Sequence, residues 1–438
     1  MAREPNTALG RLIEQAGWSR TQVARAVNRM GAEVGVELRY DQSAVSHWLS
    51  GTVPRVVVRP LVCEALARRL GRPVTQQDAG FVSGTTARRP GDLAEQLIDI
   101  GTGDMDPSRR NVLQAGLYSA ALALPAYGSV GPPAVSDRRR VGPGEVSTVE
   151  TMTRRIADIL DELGAGHARP MAAAFLVHSI GPYLRAPARH EVRKSMLAAA
   201  ADLVYLLGWM AMYEKDHGAG QQYYVKALEL ASAADDRATY SRTLRGMSLQ
   251  ATSLRHGNQA LQLADSAAEA APDAGPRLRA FLSGQQAAAA AMTKDRRQAF
   301  SRLREAETAL GRADARREAI GGYDECAYRF HVSTVLYETG DLAGSVDALR
   351  QSIRVQPQQE RQSRMHAYAV LGRREWELGH LDAACDSWGH FLDGYRHVHT
   401  ARGDAHLAAI RRRVRPHQRT RSVRTLLAKA HEVTTQKV

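Results

Sequence analysis

Cysteine and lysine are scarce in this chain of 438 residues, and aromatic residues make up only 6% of it. The three cysteines, Cys63, Cys326 and Cys385, are far apart and odd in number, which argues against a disulfide framework. Each falls in a helical apolar pattern, so we expect buried, reduced thiols in a cytoplasmic protein. The first ten residues are polar, and we expect no targeting signal there.

Sequence motifs of catalysis are also missing. The chain has no phosphate-binding glycine loop followed by Lys and Ser or Thr, and neither a nucleophile elbow nor a paired-carboxylate motif in a convincing context. One loose group of possible metal ligands stands out, but His397 and His399 would face different sides of a helix. We therefore expect no enzyme, no cofactor and no metal site. The group comprises His380, Cys385, His390, His397, His399 and His406.

Positive charge is concentrated at the two ends of the chain. The formal net charge is +13 in total, +6 over residues 1–90 and +8 over residues 411–438, so the middle is close to neutral. This distribution is typical of a polyanion binder that has a separate sensing or docking body. The C-terminal arginines fit a solvated helix end equally well.

Residues 19–55 have the pattern of two short helices joined by a connection. Val23, Ala24 and Val27 form one narrow apolar face of the first helix, which Ser19 can cap and which Gly31 and Gly35 would end. Asp41 can cap the second helix, which would run from Gln42 to about Ser50 and end at Gly51. The second helix is predicted to bury Ala44, Val45, Trp48 and Leu49 and to expose Gln42, Ser43, Ser46 and His47. Short amide, hydroxyl and imidazole groups on an exposed helix suit hydrogen bonding to base edges in a DNA major groove.

This stretch resembles the lambda-repressor-like (XRE-type) helix-turn-helix domains. Val23-Ala24 matches the family's second-helix core, Gln42-Ser43 the start of its recognition helix, and Trp48-Leu49-Ser50-Gly51 followed by Pro54 its exit. The resemblance implies a DNA-binding set of Arg20, Thr21, Gln22, Arg39, Tyr40, Gln42, Ser43, Ser46, His47 and Arg55. Of these, Gln42, Ser43, Ser46 and His47 would read bases, and Arg20, Arg39, Tyr40 and Arg55 would contact the DNA backbone. The connection from Arg29 to Tyr40 is longer than the family's usual turn. Turn geometry alone therefore does not fix the angle of the recognition helix.

From Val149 onward the sequence predicts helical hairpins that recur at a spacing near 38 residues. Small residues such as Gly208 and Gly246 in the first helix of a unit would let the second helix pack closely. The units resemble tetratricopeptide repeats, most clearly at 337–357 and 368–388, although the period exceeds the standard one. Stacked units bury a continuous core that a single hairpin could not. An irregular all-helical domain is the alternative.

An aromatic cluster in the first repeat allows two interpretations. Tyr205, Trp209, Tyr213 and Tyr224 could line a concave ligand groove, because the inner surfaces of repeat arrays bind extended peptides. Packing inside the array explains most of the same residues equally well. The sequence alone does not choose between the groove and the core.

The sequence thus predicts an all-α protein with four parts. These are a helix-turn-helix domain at 1–80, a linker at 81–148 with a buried apolar helix near 106–124, a tetratricopeptide-like superhelical array at 149–410, and an Arg-rich helical tail at 411–438. The apolar helix begins with a twin-arginine-like pair, Arg109-Arg110, whose position behind a DNA-reading domain argues against an export signal.

This layout resembles actinobacterial regulators that join a helix-turn-helix head to tetratricopeptide repeats, some of which repress development and antibiotic production. The resemblance implies a cytoplasmic repressor that binds a double-stranded DNA operator as a homodimer. Its repeats would dimerise and sense a peptide, small-molecule or protein effector, and no membrane contact is expected. A repeat-based protein-interaction scaffold and a peptide-responsive quorum-type regulator are the alternatives.

Overall fold

The computed structural model of the chain describes residues 4–33, 36–81, 92–105, 118–129, 131–135, 140–313 and 322–437. Throughout these ranges the regular secondary structure is helical, and no strand occurs in them. The predicted all-α fold is confirmed. We refer to residues 4–81 as the head. Its helices are α1 (Thr7–Gln15), α2 (Arg20–Glu33), α3 (Gln42–Leu49) and α4 (Arg59–Leu70).

The rest of the chain, which we call the body, begins with a small helical base and continues as stacked hairpins. The base contains α5 (Leu93–Met105), α6 (Pro143–Leu163), α7 (Ala165–Phe175) and α8 (Gly181–Arg185), the last two joined by a π-helix at Leu176–Ile180. Five hairpins follow: α9 (His190–Tyr213) with α10 (His217–Ala233), α11 (Arg237–Ser253) with α12 (Gly257–Ala270), α13 (Pro276–Met292) with α14 (Arg296–Leu310), α15 (Glu325–Glu338) with α16 (Leu342–Val355), and α17 (Arg361–Glu377) with α18 (Leu381–Tyr395). Helix α19 (Ala401–Val414), a 3-10 turn (Arg415–His417) and α20 (Arg421–Gln436) complete the described chain.

Glycines bring the two helices of a hairpin into close contact, as the sequence predicts. A Cβ atom on Gly208 would lie 2.7 Å from the ring of Tyr224, and one on Gly372 would lie 2.6 Å from the ring of Trp388. Both aromatic side chains are fully buried. Because a larger residue at either glycine would displace a ring in the core, these two positions fix the spacing inside the first and last hairpins.

Aspartates begin many of the body's helices. In each case the carboxylate accepts a hydrogen bond from the backbone N–H three residues later, which satisfies a donor that the helix itself leaves unpaired. Asp216 caps α10 in this way, and Asp341 caps α16 at 2.8 Å. The same arrangement begins α11, α14 and α15, at Asp236, Asp295 and Asp324.

One helix could be mistaken for a membrane span. Among the residues that the structure describes, α9 alone is long and apolar enough to cross a bilayer, and 78% of its apolar stretch is buried inside the protein. It packs against α10 and α6 in the largest apolar core. The three cysteines are also buried and free, as predicted.

Several predicted boundaries need correction. Helix α2 continues through the buried Gly31 to Glu33, and a Cβ atom on Gly31 would lie 2.7 Å from the Leu38 side chain. Gly35 lies outside the described residues. The run of helices predicted from Val149 onward begins with α6 at Pro143. The Arg-rich tail is helical as predicted, and its helix α20 packs on α18 through Val423, Leu426, Ala430 and Val433.

The predicted helix near 106–124 is wrong over its last part. Residues 106–117, including the twin arginines, lie outside the described residues, and residues 118–124 are not helical. Their backbone groups bind side chains of the head and body instead of forming helical hydrogen bonds. We call residues 118–129 the strap, because this segment lies between the head and the body and contacts both.

Buried histidines give the fold a predicted sensitivity to acid. Burial, with a smaller effect from Arg245, lowers the pKa of His331 to about 3, and burial lowers the pKa of His217 to about 4. In the unfolded chain both imidazoles bind a proton near pH 6.5. The unfolded state therefore takes up more protons between pH 6.5 and the folded pKa values, and stability falls as the pH is lowered through that window.

We expect each of these histidines to contribute a slope of up to about 1.4 kcal/mol per pH unit. Urea unfolding at pH 7 and pH 5 measures this loss. His331→Gln should show a smaller difference between the two pH values than the parent chain, whereas His397→Gln, at an exposed position, should not. An equal loss of stability in parent and His331→Gln would contradict the assignment.

Candidate nucleic-acid interface

Both helices of the predicted DNA reader begin with side-chain caps. The Ser19 hydroxyl accepts a hydrogen bond from the Gln22 N–H at 3.3 Å, and the Gln22 carboxamide accepts one from the Ser19 N–H at 2.7 Å. This reciprocal pair is a capping box. At α3, the Asp41 carboxylate accepts hydrogen bonds from the N–H groups of Ser43 and Ala44. The Ser43 hydroxyl also donates to this carboxylate. That bond has the largest effect, and together with the backbone bonds it lowers the pKa of Asp41.

The long connection before α3 is held by Asn28, which the sequence analysis missed. The Asn28 carboxamide donates to the Tyr40 carbonyl at 2.8 Å and accepts from the Tyr40 N–H at 2.9 Å. The Tyr40 ring then packs edge-on against Trp48, with the ring centroids 5.2 Å apart. The start of α3 is thereby fixed to α2 by side-chain contacts rather than by a tight turn. An asparagine near the end of an amphipathic helix gives no local signal for this role.

The buried face of α3 follows the prediction. Val45 and Trp48 are buried in the head's core, and Ala44 and Leu49 are partly buried against it. Gly51 has the predicted left-handed conformation, with φ of 96°. On the opposite face, Gln42, Ser43 and His47 are exposed and Ser46 is partly exposed.

Hydrogen bonds within the head divide the four predicted base readers into two pairs. The Ser43 hydroxyl donates to Asp41 at 2.6 Å, and the Ser46 hydroxyl donates to the Gln42 carbonyl at 2.8 Å. These serines are therefore committed to stabilising α3. The Gln42 carboxamide makes only a 3.5 Å contact, with the Thr21 hydroxyl. Gln42 and His47 are thus the pair most available for a base edge.

The predicted backbone contacts surround this face unevenly. Arg20 is exposed and donates to the Ser46 hydroxyl at 3.1 Å, so it lies beside the base-reading row. Arg55 is exposed in the loop after α3. Arg39 is exposed but forms an ion pair with Glu37 at 2.7 Å. The glutamate partly neutralises the guanidinium and weakens its attraction for a phosphate. The partly buried Tyr40 supports Trp48.

The predicted ligand groove in the first repeat is wrong for three of its four residues. Tyr205, Tyr213 and Tyr224 are buried, and Trp209 alone is partly exposed. Helices inside a stacked array contact neighbours on two sides, so aromatic residues on them serve packing on both faces. The Tyr205 and Tyr224 rings lie 5.9 Å apart in that core.

The arginines at the C-terminus play a partly structural role. Arg411 donates to the Ala430 carbonyl and to the Thr434 hydroxyl, each at 3.2 Å, and so fastens α19 to α20. Arg412, Arg415 and Arg424 are exposed. Arg411 therefore fits the interpretation of this run as a helix end, and the three exposed arginines fit its interpretation as a basic surface.

Comparison with known protein families gives a match that covers most of the head. Residues 9–82 are similar to the family described as the SP15 N-terminal domain. The matched range contains most of the helices and core residues of the head. A search of curated proteins found no match for the chain.

Proposed function

We propose that this protein is a sequence-specific DNA-binding transcriptional regulator, and that α3 is its recognition helix. The observation that carries the proposal is the exposed row on α3, where Gln42 and His47 project from a helix fixed at its start by Asp41 and Asn28. A helix pre-positioned in this way meets the requirement for reading a major groove. Arg20 and Arg55 at the edges of the row supply phosphate contacts.

The resemblance seen in the sequence supports the finer parts of this proposal. The protein acts in the cytoplasm as a repressor of development or secondary metabolism, and it binds its operator as a homodimer. One recognition helix reads too few base pairs for genomic specificity, and paired half-sites remedy this. The body dimerises and responds to an effector.

Substitution of one base-reading residue and of one phosphate-contacting residue tests the proposal. Genome-wide mapping in the native host first supplies an operator, and binding is then measured by salt titration. Gln42→Ala should weaken operator binding by about 1–3 kcal/mol and leave binding to random duplex unchanged, because it removes a base contact. Arg55→Ala should weaken both alike and reduce the salt slope by about 1, because it removes a phosphate contact.

Two outcomes would contradict the assignment. Equal losses on operator and random DNA for Gln42→Ala would remove α3 from its role as a reader. A purified chain without preference for any genomic fragment would favour the alternative, a protein-interaction scaffold whose head has lost its DNA target.

A further inference from the structure

The strap has the conformation of a bound peptide. Residues 118–129 are extended or turned rather than helical, and they lie along the ends of α10, α11 and α12. Of the strap's side chains, Tyr118 alone is fully buried. The segment therefore lies at the edge of the body's core: Tyr118 belongs to that core, and the partly buried Ala120, Leu122, Leu124 and Tyr127 pack against it.

Side chains of the body hold the strap through its backbone. The Gln221 carboxamide accepts from the Ser119 N–H at 2.8 Å and donates to the Ser119 carbonyl at 2.7 Å. Near the other end, the Gly128 N–H donates to the Ser232 hydroxyl at 2.7 Å, and the Tyr240 hydroxyl donates to the Pro125 carbonyl at 2.9 Å. Any extended peptide presents such backbone groups, so these bonds give affinity without specifying a sequence.

Two tyrosines, nine positions apart, supply the specificity. Tyr118 is 4% exposed; its ring stacks on His256 with centroids 5.5 Å apart, and its hydroxyl donates to Gln259 at 2.9 Å. Tyr127 donates to the Asp235 carboxylate at 2.8 Å and lies edge-on to Tyr240. The residues between them are partly buried or exposed and consist mostly of alanine and leucine. Recognition thus combines an aromatic ring with a hydroxyl at each end with apolar contacts of Ala120, Leu122 and Leu124 between them.

The strap is also tied to the head. The Glu64 carboxylate accepts from the Ala120 N–H at 2.9 Å, and Arg68 donates to the Tyr118 carbonyl at 3.3 Å. Glu64 and Arg68 form an ion pair at 2.7 Å on α4. The same three strap residues, 118–120, therefore contact the head on one side and the body on the other.

From this geometry we propose that the outer surface of α10–α12 is a peptide-binding site, and that the strap is its built-in occupant. The external ligand is an extended segment of a partner protein that carries two tyrosines nine positions apart. Such a ligand competes with a tethered segment, whose effective concentration is on the order of millimolar for a short linker. Binding of the partner releases the strap from Gln221 and frees the head from the body.

The peptide site itself is independent of DNA binding, and only the release of the head as a means of regulation rests on the proposed function. A non-helical segment whose side chains, apart from Tyr118, are partly buried or exposed opens at lower cost than a core helix. Opening of the strap is therefore compatible with an intact repeat body.

The test uses a fluorescent peptide with the sequence of residues 118–129, YSAALALPAYGS, and the full-length chain. In the variant Tyr118→Ala/Tyr127→Ala the tethered strap loses both anchors, so the added peptide should bind at least about tenfold more tightly than to the parent chain. Adding Gln221→Ala to that variant should lower the affinity again. A peptide with both tyrosines replaced by alanine is the matched control and should not bind. Equal affinity for parent and double variant, or no effect of Gln221→Ala, would overturn the proposal.

Hydrogen exchange of the unaltered chain provides a second measurement that does not depend on folding of the variants. The amides of Ser119, Ala120 and Gly128 should be protected, yet exchange through an opening of lower free energy than the amides of α10. Exchange of these amides only through global unfolding would overturn the proposal, because the strap could not then be displaced. Operator binding is measured in a separate experiment, with and without added peptide. Peptide binding without any change in DNA affinity would refute release of the head as a regulatory step and leave the peptide site in place.

Discussion

Replacing Arg169 with methionine is expected to lower the free energy of unfolding by about 3–5 kcal/mol. The Arg169 side chain is 5% exposed and donates to the Asp104 carboxylate at 2.8 Å and to the Asp216 carboxylate at 2.9 Å. The bonds join α7, α5 and the cap of α10, and the Tyr223 hydroxyl also donates to Asp104, at 3.1 Å. Without the guanidinium, the buried Asp104 carboxylate would lose both its ion pair and its hydrogen bond with Arg169.

The comparison that isolates this effect uses an exposed ion pair and a double variant. Arg155 pairs with Asp158 at 3.6 Å, but its side chain is 75% exposed, so Arg155→Met should cost less than about 1 kcal/mol. Combining Arg169→Met with Asp104→Leu should recover part of the loss, because the buried carboxylate that paired with the guanidinium is then removed as well. Urea unfolding measures all four chains. Similar losses for Arg169→Met and Arg155→Met would show that burial does not govern the pair.

Asn28→Ala should affect both the stability of the head and its affinity for an operator. The change removes two hydrogen bonds to Tyr40 and leaves its partly buried N–H and carbonyl without those partners. We expect a loss of about 2–4 kcal/mol for the head, at roughly 1–2 kcal/mol for each bond. Because α3 is no longer fixed to α2, operator affinity should fall by at least about tenfold, a cost of about 1.4 kcal/mol.

Thermal unfolding and operator binding check this prediction together. Glu14→Ala, at an exposed position on α1 in the same domain, is the control and should change neither quantity beyond about 0.5 kcal/mol. Asn28→Asp keeps the acceptor for the Tyr40 N–H but sets a carboxylate against the Tyr40 carbonyl. Its thermal stability and operator affinity should therefore both fall below those of the parent chain. An Asn28→Ala chain with unaltered operator affinity would show that the connection orients α3 without this side chain.

Local periodicity was sufficient to predict the head's elements. Val23 and Val27 on α2 and Trp48 on α3 lie in the core at the predicted helical spacing, and the predicted caps at Ser19 and Asp41 form. The repeated hairpins were predicted from glycines such as Gly208, where the neighbouring ring does approach. These features depend on residues close together in sequence, or on a pattern that recurs, and both are visible in a single chain.

Contacts between distant residues could not be predicted in the same way. Gln221 and Ser119 are 102 positions apart, and nothing near either residue indicates the other. The aromatic residues of the first repeat were equally ambiguous, because a ring at helical spacing suits a groove and a core alike. The structure places Tyr205 and Tyr224 in the core, because a second layer of helices covers them. The predicted base readers differ again, since only hydrogen bonds such as that from Ser43 to Asp41 separate the free side chains from the engaged ones.

Glu64 has a consequence for any attempt to study the head as an excised fragment. Its carboxylate is 3% exposed, and burial raises its pKa even though Ala120 and Arg68 bind it. A fragment that stops near residue 81 lacks Ala120, together with the Ala121 side chain that packs on the head's core. Such a fragment exposes to water the part of α4 around Glu64 that the strap covers in the intact chain. Its solubility, self-association and titration would then reflect the cut rather than the properties of the domain within the intact polypeptide.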